Sequence, residues 1–399
     1  MRVQAQWLAQ VNKMNEFKST DKEYVAGTYN RFDVQLVSGK GSKVKDVNGK
    51  EYIDMGSGIG VTAFGFADEQ WNNAVCDQIN KLQHTSNLYY TKPSADLAKL
   101  LCQKTGMSKV FFGNSGAEAN ECAIKVARKW AAENKGTDCY KIITLENSFH
   151  GRTITTLAAT GQDHYHELFT PLTDGFIHAP ANDLKALEDM VKANNVAAVM
   201  FECIQGEGGV IALDAEYVKG VESLAKKYNF LIIVDEVQTG NGRTGKLYGY
   251  MNFGIKPNIV STAKGLGGGL PIGAVLMDDV TGNVLGFGDH GSTYGANPVC
   301  AAAALTVISR LTDDFLAEVK QKSDYIFNEL KNSKGVTAVS GMGLMVGIKT
   351  EKPAGDVVKE AMQKGVLCLT AKDKVRLLPA LNISYEDLKT AVDIIKSCL

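Results

Sequence analysis

The chain has 399 residues, of which 45% are hydrophobic and 22% are charged, which is the composition of a globular protein with room for two domains. Its formal net charge of -1 offers no basic field to a polyanion and argues against nucleic-acid binding. The eight cysteines include no C-x-x-C pair, no apolar run approaches the roughly 18 residues of a membrane span, and the first residues do not resemble a secretory leader. We therefore expect a cytoplasmic protein with small-molecule partners, no membrane segment and no metal site.

The N-terminal part predicts short strands. Residues 41–55, "GSKVKDVNGKEYIDM", carry Asn-Gly between two extended pieces, which is typical of a hairpin turn. We expect the first fifty or so residues to add strands to a smaller lobe that is formed mainly by the C-terminal part of the chain.

The middle of the chain alternates strands with helices. Four short apolar runs have the composition of strands that are buried on both faces; they lie at residues 109–112, 141–146, 196–202 and 230–237. The segment 215–229 has apolar residues at helical spacing. This alternation predicts an α/β fold with a mostly parallel sheet covered by helices on both faces.

Beyond residue 298 the pattern changes to a second, α+β lobe. A helical pattern runs from Val299 to about Leu330, residues 335–350 alternate as a hairpin does, and residues 383–399 predict a capped amphipathic helix. We predict a large domain of residues 55–293 and a small domain of residues 1–54 and 294–399.

One glycine-rich stretch raises the question of function. Residues 261–275, "STAKGLGGGLPIGAV", contain five glycines and one charged side chain, Lys264. The stretch could cradle a phosphate, carry a covalently reacting lysine, or be a turn with an outward lysine. Two other glycine motifs are interpreted as chance matches: "GNGRTGK" is followed by Leu247 where a phosphate-binding loop needs a hydroxyl, and "GFGDHG" at residues 286–291 lacks a flanking strand and helix.

Two further features bear on Lys264. Asp235 ends the apolar run "LIIVD", at the strand end where α/β sheets bind ligands, although it could instead cap the next turn. Ser115, Gly116 and Ala117 follow a strand and begin a helix, so their amides can hold a phosphomonoester, although Ser115 could be a plain N-cap. A strand-end acid, a single phosphate seat and a lone lysine together indicate pyridoxal 5'-phosphate as cofactor.

The same motifs resemble a known family over nearly the whole chain. The blocks "FFGNSGAEANECAIKVARK", "NSFHGRT", "TLAATGQ", "IQGEGGV", "DEVQTGNGRTGKL", "AKGLGGGLPIGAV" and "HGSTYGANP" are similar, in order and spacing, to those of the class-III pyridoxal-phosphate aminotransferases of the ω-amino acid type. The resemblance implies the fold type I architecture of pyridoxal-phosphate transferases, with seven strands in the large sheet. It also implies a homodimer in which each subunit completes the other's active site.

The resemblance assigns roles to residues around the cofactor. It makes Lys264 the Schiff-base lysine and Asp235 the partner of the ring nitrogen. The remaining cofactor-binding residues that it implies are Ser115, Gly116, Ala117, Phe149, His150, Val237, Gln238 and, from the second subunit, Thr293.

It also assigns residues to substrate recognition. Arg152 would clamp the α-carboxylate of the amino donor, and Arg376 that of 2-oxoglutarate. Glu207 would pair with Arg376 while the donor is bound. Without the resemblance, a structural surface ion pair is the preferred interpretation of Arg376 and Glu207.

The expected reaction moves the δ-amino group of N2-acetylornithine to 2-oxoglutarate. The donor is inferred from Ile59, because the family's enzymes for free ornithine tend to carry a tyrosine there; Tyr29 lies in a stretch that lines the entrance in relatives. Ornithine, succinylornithine and 4-aminobutyrate remain alternative donors. A non-catalytic ligand-binding protein on the same scaffold remains an alternative of another class.

Overall fold

Seven strands form the central sheet of the computed structural model, which describes residues 17–399. Four neighbouring pairs of strands are parallel and two are antiparallel, the two antiparallel ones both involving Gly273–Met277. The prediction of a mostly parallel sheet is therefore confirmed. In spatial order the strands are Lys109–Gly113, Gly273–Met277, Ile259–Thr262, Leu231–Asp235, Val196–Phe201, Lys141–Leu145 and Phe176–Ala179.

The central strands are buried on both faces because their side chains alternate between two cores. In the strand Leu231–Asp235, Ile232 and Val234 pack into the larger core, whereas Leu231 and Ile233 pack into the core under the helix Gly116–Lys135. A run of Ile and Val satisfies both faces at once, which explains why the sequence shows no polar alternation there.

Helices pack against both faces of this sheet and against the smaller sheets. Residues 17–24 are helical, and all four residues of the turn Ser57–Gly60 have positive φ, from 48° to 73°. The other α-helices are Glu69–Lys81, Lys92–Thr105, Gly116–Lys135, Ile154–Ala159, Leu184–Ala193, Ala215–Tyr228, Pro298–Arg310, Asp313–Lys331, Ala354–Gln363 and Tyr385–Lys396, with short 3-10 helices at Asp163–Tyr165, Gly249–Asn252 and Lys264–Leu266.

The long helix predicted from Val299 to about Leu330 is wrong as a single element. It is two helices that break at Leu311 and Thr312, because the hydroxyl of Thr312 accepts a hydrogen bond from the amide of Phe315 (3.3 Å) and so begins a new helix. The hairpin is confirmed as Val336–Met342 paired with Met345–Thr350.

Smaller sheets connect the two ends of the chain. The strands Leu36–Lys40, Lys43–Asp46 and Glu51–Asp54 form a four-stranded sheet with Val366–Leu367, and the Asn-Gly turn joins two of them as predicted. A second sheet contains the hairpin together with Lys374–Leu377 and Leu369–Ala371, and Ile204–Gln205 pairs with Ile211–Ala212. Pairing between the N-terminal and C-terminal strands agrees with a shared small lobe, while the boundaries at residues 54/55 and 293/294 stay a prediction.

Strand register brings the functional motifs to one edge. Asp235 lies beside Ser261, three residues before Lys264, and Gly273 lies beside Gly113, two residues before Ser115. Within residues 17–399, no helix is both long enough and apolar enough to cross a membrane.

Candidate active site

A cavity of about 490 Å³ lies at this edge of the sheet. It collects residues from six separate parts of the sequence, which only the fold brings together. Ten of the sequence-predicted site residues line it: Ser115, Gly116, Ala117, Phe149, His150, Arg152, Asp235, Val237, Gln238 and Lys264.

The first turn of the helix Gly116–Lys135 forms one end of the cavity. Ser115 is its N-cap, and the Ser115 hydroxyl accepts a hydrogen bond from the amide of Glu118 (3.2 Å). The amides of Gly116 and Ala117 lie in the first turn, where a helix provides no acceptor. A Cβ on Gly116 would lie 2.7 Å from a methyl carbon of Val237, so glycine is needed for the helix start to approach this wall. The result is a narrow seat for an anion at the positive end of the helix.

Asp235 also lines the cavity and is only 3% exposed. Its Oδ1 accepts a hydrogen bond from the amide of Val237 (3.0 Å), so it also caps the following turn. Its Oδ2 accepts hydrogen bonds from Asn120 Nδ2 and His150 Nδ1, both at 2.8 Å. Because an ionised carboxylate only accepts, His150 carries its proton on Nδ1 in this arrangement. The three donors compensate the desolvation of a buried negative charge.

Lys264 also lines the cavity, two residues after the strand Ile259–Thr262. Its φ of 43° is in the left-handed region, which is uncommon for a residue with a side chain and typical of functional sites. Among the residues that the structure describes, its Nζ has no hydrogen-bond or ion-pair partner. Burial lowers the pKa of Lys264, and the negative charges of Glu207 and Asp235 act in the opposite direction. A lowered pKa favours the neutral, nucleophilic amine.

Glu207 and Arg376 form an ion pair beside the cavity. Arg376 Nη1 donates to Glu207 Oε1 at 2.6 Å and to Gln238 Oε1 at 3.2 Å, while Gln238 Nε2 lies 3.4 Å from the same Glu207 oxygen. Burial acts to raise the pKa of Glu207, but the charge and hydrogen bond of Arg376 outweigh it and hold that pKa below its usual value. Gln238 therefore links the ion pair directly to the wall of the cavity.

Arg152 is exposed at the mouth of the cavity. Its guanidinium carbon lies 4.9 Å from the centre of the Tyr165 ring and 5.7 Å from that of Phe149. No carboxylate within residues 17–399 forms an ion pair with it. Held against aromatic faces, the guanidinium keeps its hydrogen-bond donors available for a carboxylate ligand.

Five predicted residues do not line this cavity: Glu207 and Arg376, whose ion pair lies beside it, and Tyr29, Thr293 and Ile59. Tyr29 is 73% exposed and lines a separate cavity formed by residues 17–35, and Thr293 lines another, together with His84 and Asn87. Ile59 is 40% exposed in the turn Ser57–Gly60, while Val61 contributes to the cavity wall. The predictions for these five residues stay predictions.

Sequence reasoning missed Glu202, which lines the cavity and is 4% exposed. Its carboxylate accepts hydrogen bonds from the amides of Phe149 (2.9 Å) and Gly206 (3.1 Å), and burial raises its pKa to about 7. A signal was available, because Glu202 follows the buried strand Val196–Phe201 at the same sheet edge as Asp235.

Asn120 was missed as well. It lies inside the quoted block "GNSGAEANE", one turn beyond the phosphate seat, and is 1% exposed. Its contacts with Asp235 and His150 span 115 and 30 residues of sequence, so no local pattern could have predicted them.

The fold and this constellation are those of a transaminase. The family model described as "Aminotransferase class-III" matches residues 24–399, and the chain belongs to that family.

Several relatives and solved structures resemble the chain along its length. It is 49% identical, over 96% of its length and 98% of the relative's, to an acetylornithine aminotransferase of Haemophilus ducreyi, and 42% identical, over 94% and 95%, to one of Methanocaldococcus jannaschii. The solved structure of the N-acetylornithine aminotransferase of Stenotrophomonas maltophilia superposes with a TM-score of 0.82 at 34% identity, covering 95% of this chain and 97% of that one. An ornithine aminotransferase of Toxoplasma gondii superposes with a TM-score of 0.92 at 32% identity, covering 96% and 94%.

Proposed function

We propose that this class-III aminotransferase uses pyridoxal 5'-phosphate to move the δ-amino group of N2-acetylornithine to 2-oxoglutarate. The products are N-acetylglutamate 5-semialdehyde and glutamate, and the reaction serves arginine biosynthesis in the cytoplasm. The observation that carries the proposal is the meeting of Asp235, Lys264 and the helix start at Gly116 in one cavity. The acetylornithine aminotransferases at 40–49% identity support the choice of donor.

The residues of the cavity fit this cofactor. The free amides at Gly116 and Ala117 suit a phosphate monoester, the anionic Asp235 suits a protonated ring nitrogen, and the unpartnered amine of Lys264 suits an aldehyde. Phe149 and Val237 provide apolar walls for the ring between these polar ends. When bound, pyridoxal phosphate supplies an electron sink for the negative charge that develops at the amino-bearing carbon.

Lys264 Nζ is the group that carries protons. This amine would hold the cofactor's aldehyde and, when free, would take a proton from the amino-bearing carbon of the donor and return it. Its lowered pKa favours the neutral amine, which can accept that proton. Three hydrogen bonds hold the carboxylate of Asp235 in place, where it would face the ring nitrogen.

Two substrates share the pocket in turn. The exposed guanidinium of Arg152 clamps the α-carboxylate of N2-acetylornithine, while Glu207 neutralises Arg376. When 2-oxoglutarate enters, Glu207 releases Arg376, which then binds the α-carboxylate of the keto acid. Exchange of one carboxylate for another on Arg376 keeps a buried positive charge compensated in both halves of the cycle.

The choice of an acylated donor rests on Ile59. Its side chain is apolar and cannot hydrogen-bond an α-ammonium group, so a donor whose α-nitrogen is acylated and uncharged loses nothing there. Ornithine, succinylornithine and 4-aminobutyrate are the competing donors.

We also propose a homodimer with shared sites, into which Thr293 reaches from the second subunit. Large apolar side chains that monomers rarely leave in water support an interface near this residue: Leu88, Tyr89, Tyr90, Phe287 and Tyr294 are 62% or more exposed. Sedimentation of the purified protein tests this, and a monomer with full activity would contradict it.

Two measurements test the function. Borohydride reduction followed by peptide mass spectrometry is expected to find the cofactor's mass on Lys264. Turnover with N2-acetylornithine is expected to exceed that with the three competing donors. A protein that takes up no pyridoxal phosphate supports the non-catalytic alternative, and a lack of turnover with either acylated donor contradicts the substrate assignment.

A further inference from the structure

Asn120 is an unusual residue for its place in the fold. It lies on the buried face of the helix Gly116–Lys135, among alanine, cysteine and isoleucine side chains that pack against the sheet. A polar amide there costs free energy unless its hydrogen bonds compensate the burial. The hydrogen bonds of the Asn120 side chain therefore indicate what the residue does.

Both hydrogens of the Asn120 amide have acceptors. Nδ2 donates to the backbone oxygen of His150 at 2.7 Å and to Asp235 Oδ2 at 2.8 Å. The opposite orientation would set the amide oxygen against two acceptors, so the contacts fix the amide as described. The amide oxygen is buried and has no partner among the described residues, so it is an uncompensated polar atom in the wall of the cavity. The compensating benefit must come from the contacts of Nδ2.

These contacts help to fix the carboxylate of Asp235. Together with His150 Nδ1 and the amide of Val237, Asn120 provides three donors to a carboxylate with about four acceptor positions. One position remains, and the carboxylate plane is fixed by donors on both oxygens. A ring nitrogen with its proton is the donor that the remaining position can take.

Asn120 also connects two ends of the site. It lies four residues after Gly116, about 6 Å along the axis of the helix whose first turn is the phosphate seat. The same rigid element therefore presents the phosphate donors and, through Asn120, fixes the carboxylate for the ring nitrogen. A cofactor held at both ends by one helix has its ring placed at a defined distance from Lys264.

We propose that Asn120 is a positioning residue for Asp235: it orients the carboxylate toward the cofactor's ring nitrogen and ties it to the phosphate-binding helix. This inference rests on the proposed function. It concerns a residue that touches the reaction only through Asp235. Loss of the amide should therefore weaken cofactor binding and slow both halves of the cycle equally, with little change in the KM of either substrate.

The first test is Asn120→Leu, which keeps the approximate volume and removes the donor. We expect pyridoxal phosphate to bind about 10- to 100-fold more weakly, and kcat to fall by a similar factor for donor and for 2-oxoglutarate. Asn134→Leu is the matched control, because Asn134 lies on the same helix and bonds only the backbone oxygen of Trp130 (2.8 Å). Thermal unfolding of the cofactor-free proteins shows whether the variants are folded.

The second test is Asn120→Asp, whose effect depends on pH. Two carboxylates this close cannot both lose their protons easily. The new carboxylate and that of Asp235 should therefore share a proton at acid pH and repel each other at neutral pH. Cofactor affinity and kcat of this variant should rise as the pH is lowered, relative to the wild type. The titratable groups around the pair are His150, Glu202, Glu236 and Lys264, and all of them are common to variant and wild type.

The outcomes separate this inference from the proposed function. If the wild type takes no cofactor onto Lys264, the function itself fails. If the wild type is active and a folded Asn120→Leu binds the cofactor and turns over as well as Asn134→Leu, the positioning role is wrong. Should Asn120→Leu not fold, Asn120→Asp decides: a pH profile equal to that of the wild type overturns the role, and recovery at acid pH supports it.

Discussion

The charged side chains on the two sides of the cavity differ in burial and in the partners that hold them. On the cofactor side, Asp235 is 3% exposed and its oxygens accept three hydrogen bonds from residues that nothing in the reaction displaces. On the substrate side, the Glu207 side chain is 28% exposed in its ion pair with Arg376, and Arg152 rests only on aromatic rings. We call the cofactor side with Asp235 and Lys264 the fixed side, because it suits a bound group that stays in place. We call the substrate side with Glu207, Arg376 and Arg152 the exchangeable side, because it suits two substrates that replace each other.

Replacing Lys264 should have the largest effect, because it removes the amine that both anchors the cofactor and carries protons. We expect Lys264→Ala to lose at least about 10²–10⁴-fold in kcat, measured as glutamate formed from N2-acetylornithine and 2-oxoglutarate. Lys246→Ala, at an exposed lysine outside the cavity, is the control and should keep full activity. Unchanged turnover in Lys264→Ala would contradict the assignment of Lys264 as the residue that binds the cofactor and carries protons.

Asp235→Asn should have the next largest effect. The substitution removes the negative charge and turns one oxygen into an NH₂ group that faces existing donors, from Val237 on one side or Asn120 and His150 on the other. Loss of one partner of a buried charge pair costs about 3–5 kcal/mol, so activity should fall about 10²- to 5 × 10³-fold. The rate of each half-reaction, followed by cofactor absorbance in a single turnover, should fall by the same factor. A loss confined to one half-reaction would contradict a role on the ring.

The fixed side was also the more predictable from sequence. Asp235 and Ser115 lie at or just after the ends of short apolar runs, so local patterns place them at strand ends, while Lys264 stands out as the one charged residue in a glycine-rich stretch. The sheet then brings these positions to one edge. Arg376 and Glu207 are 169 residues apart, and only resemblance to a family suggested that they meet. Periodicity reports which face of an element is buried, but it does not specify which polar side chains meet across the core, and Asn120 and Glu202 were missed for that reason.

Glu207→Gln should separate the two substrates. Without the carboxylate, the positive charge of Arg376 is uncompensated when the donor is bound, but it remains available for 2-oxoglutarate. We expect kcat/KM for N2-acetylornithine to fall about tenfold and that for 2-oxoglutarate to change less than threefold. An equal loss for both substrates would show that the ion pair is merely structural. Because the pKa of Glu207 lies below its usual value of 4.5, the pair contributes stability above that pH, and this stability is lost as the pH falls through the lowered pKa.

Glu236, the residue after Asp235, provides a test of stability. Its carboxylate is fully buried and accepts hydrogen bonds from the amides of Gly249 (2.8 Å) and Tyr250 (2.7 Å) and from the Thr239 hydroxyl (2.6 Å). Glu236→Gln turns one oxygen toward a donor, so the free energy of unfolding should fall by about 1–3 kcal/mol.

The pH dependence of that stability has a defined sign. Burial raises the pKa of Glu236 to about 7, above its ordinary value of 4.5, so the folded protein binds the extra proton and stability falls as the pH rises from 4.5 to 7. Glu202, whose pKa is also raised to about 7, contributes a slope of the same sign. Urea unfolding between pH 5 and 8 should therefore show a shallower slope in Glu236→Gln than in the wild type. An identical slope would mean that Glu236 does not titrate in this range.

The smallest effect is expected at Ile59, on the exchangeable side, where specificity rather than rate is at stake. Ile59→Tyr adds a hydroxyl that can hydrogen-bond the α-ammonium of free ornithine, whereas the acylated donor gains nothing from it. One added hydrogen bond of about 1 kcal/mol should raise the ratio of kcat/KM for ornithine to that for N2-acetylornithine about fivefold. Ile59→Phe supplies the same ring without the hydroxyl and separates bulk from hydrogen bonding. If both variants give the same ratio, residue 59 selects the donor by shape alone, and the α-nitrogen must be recognised by another group.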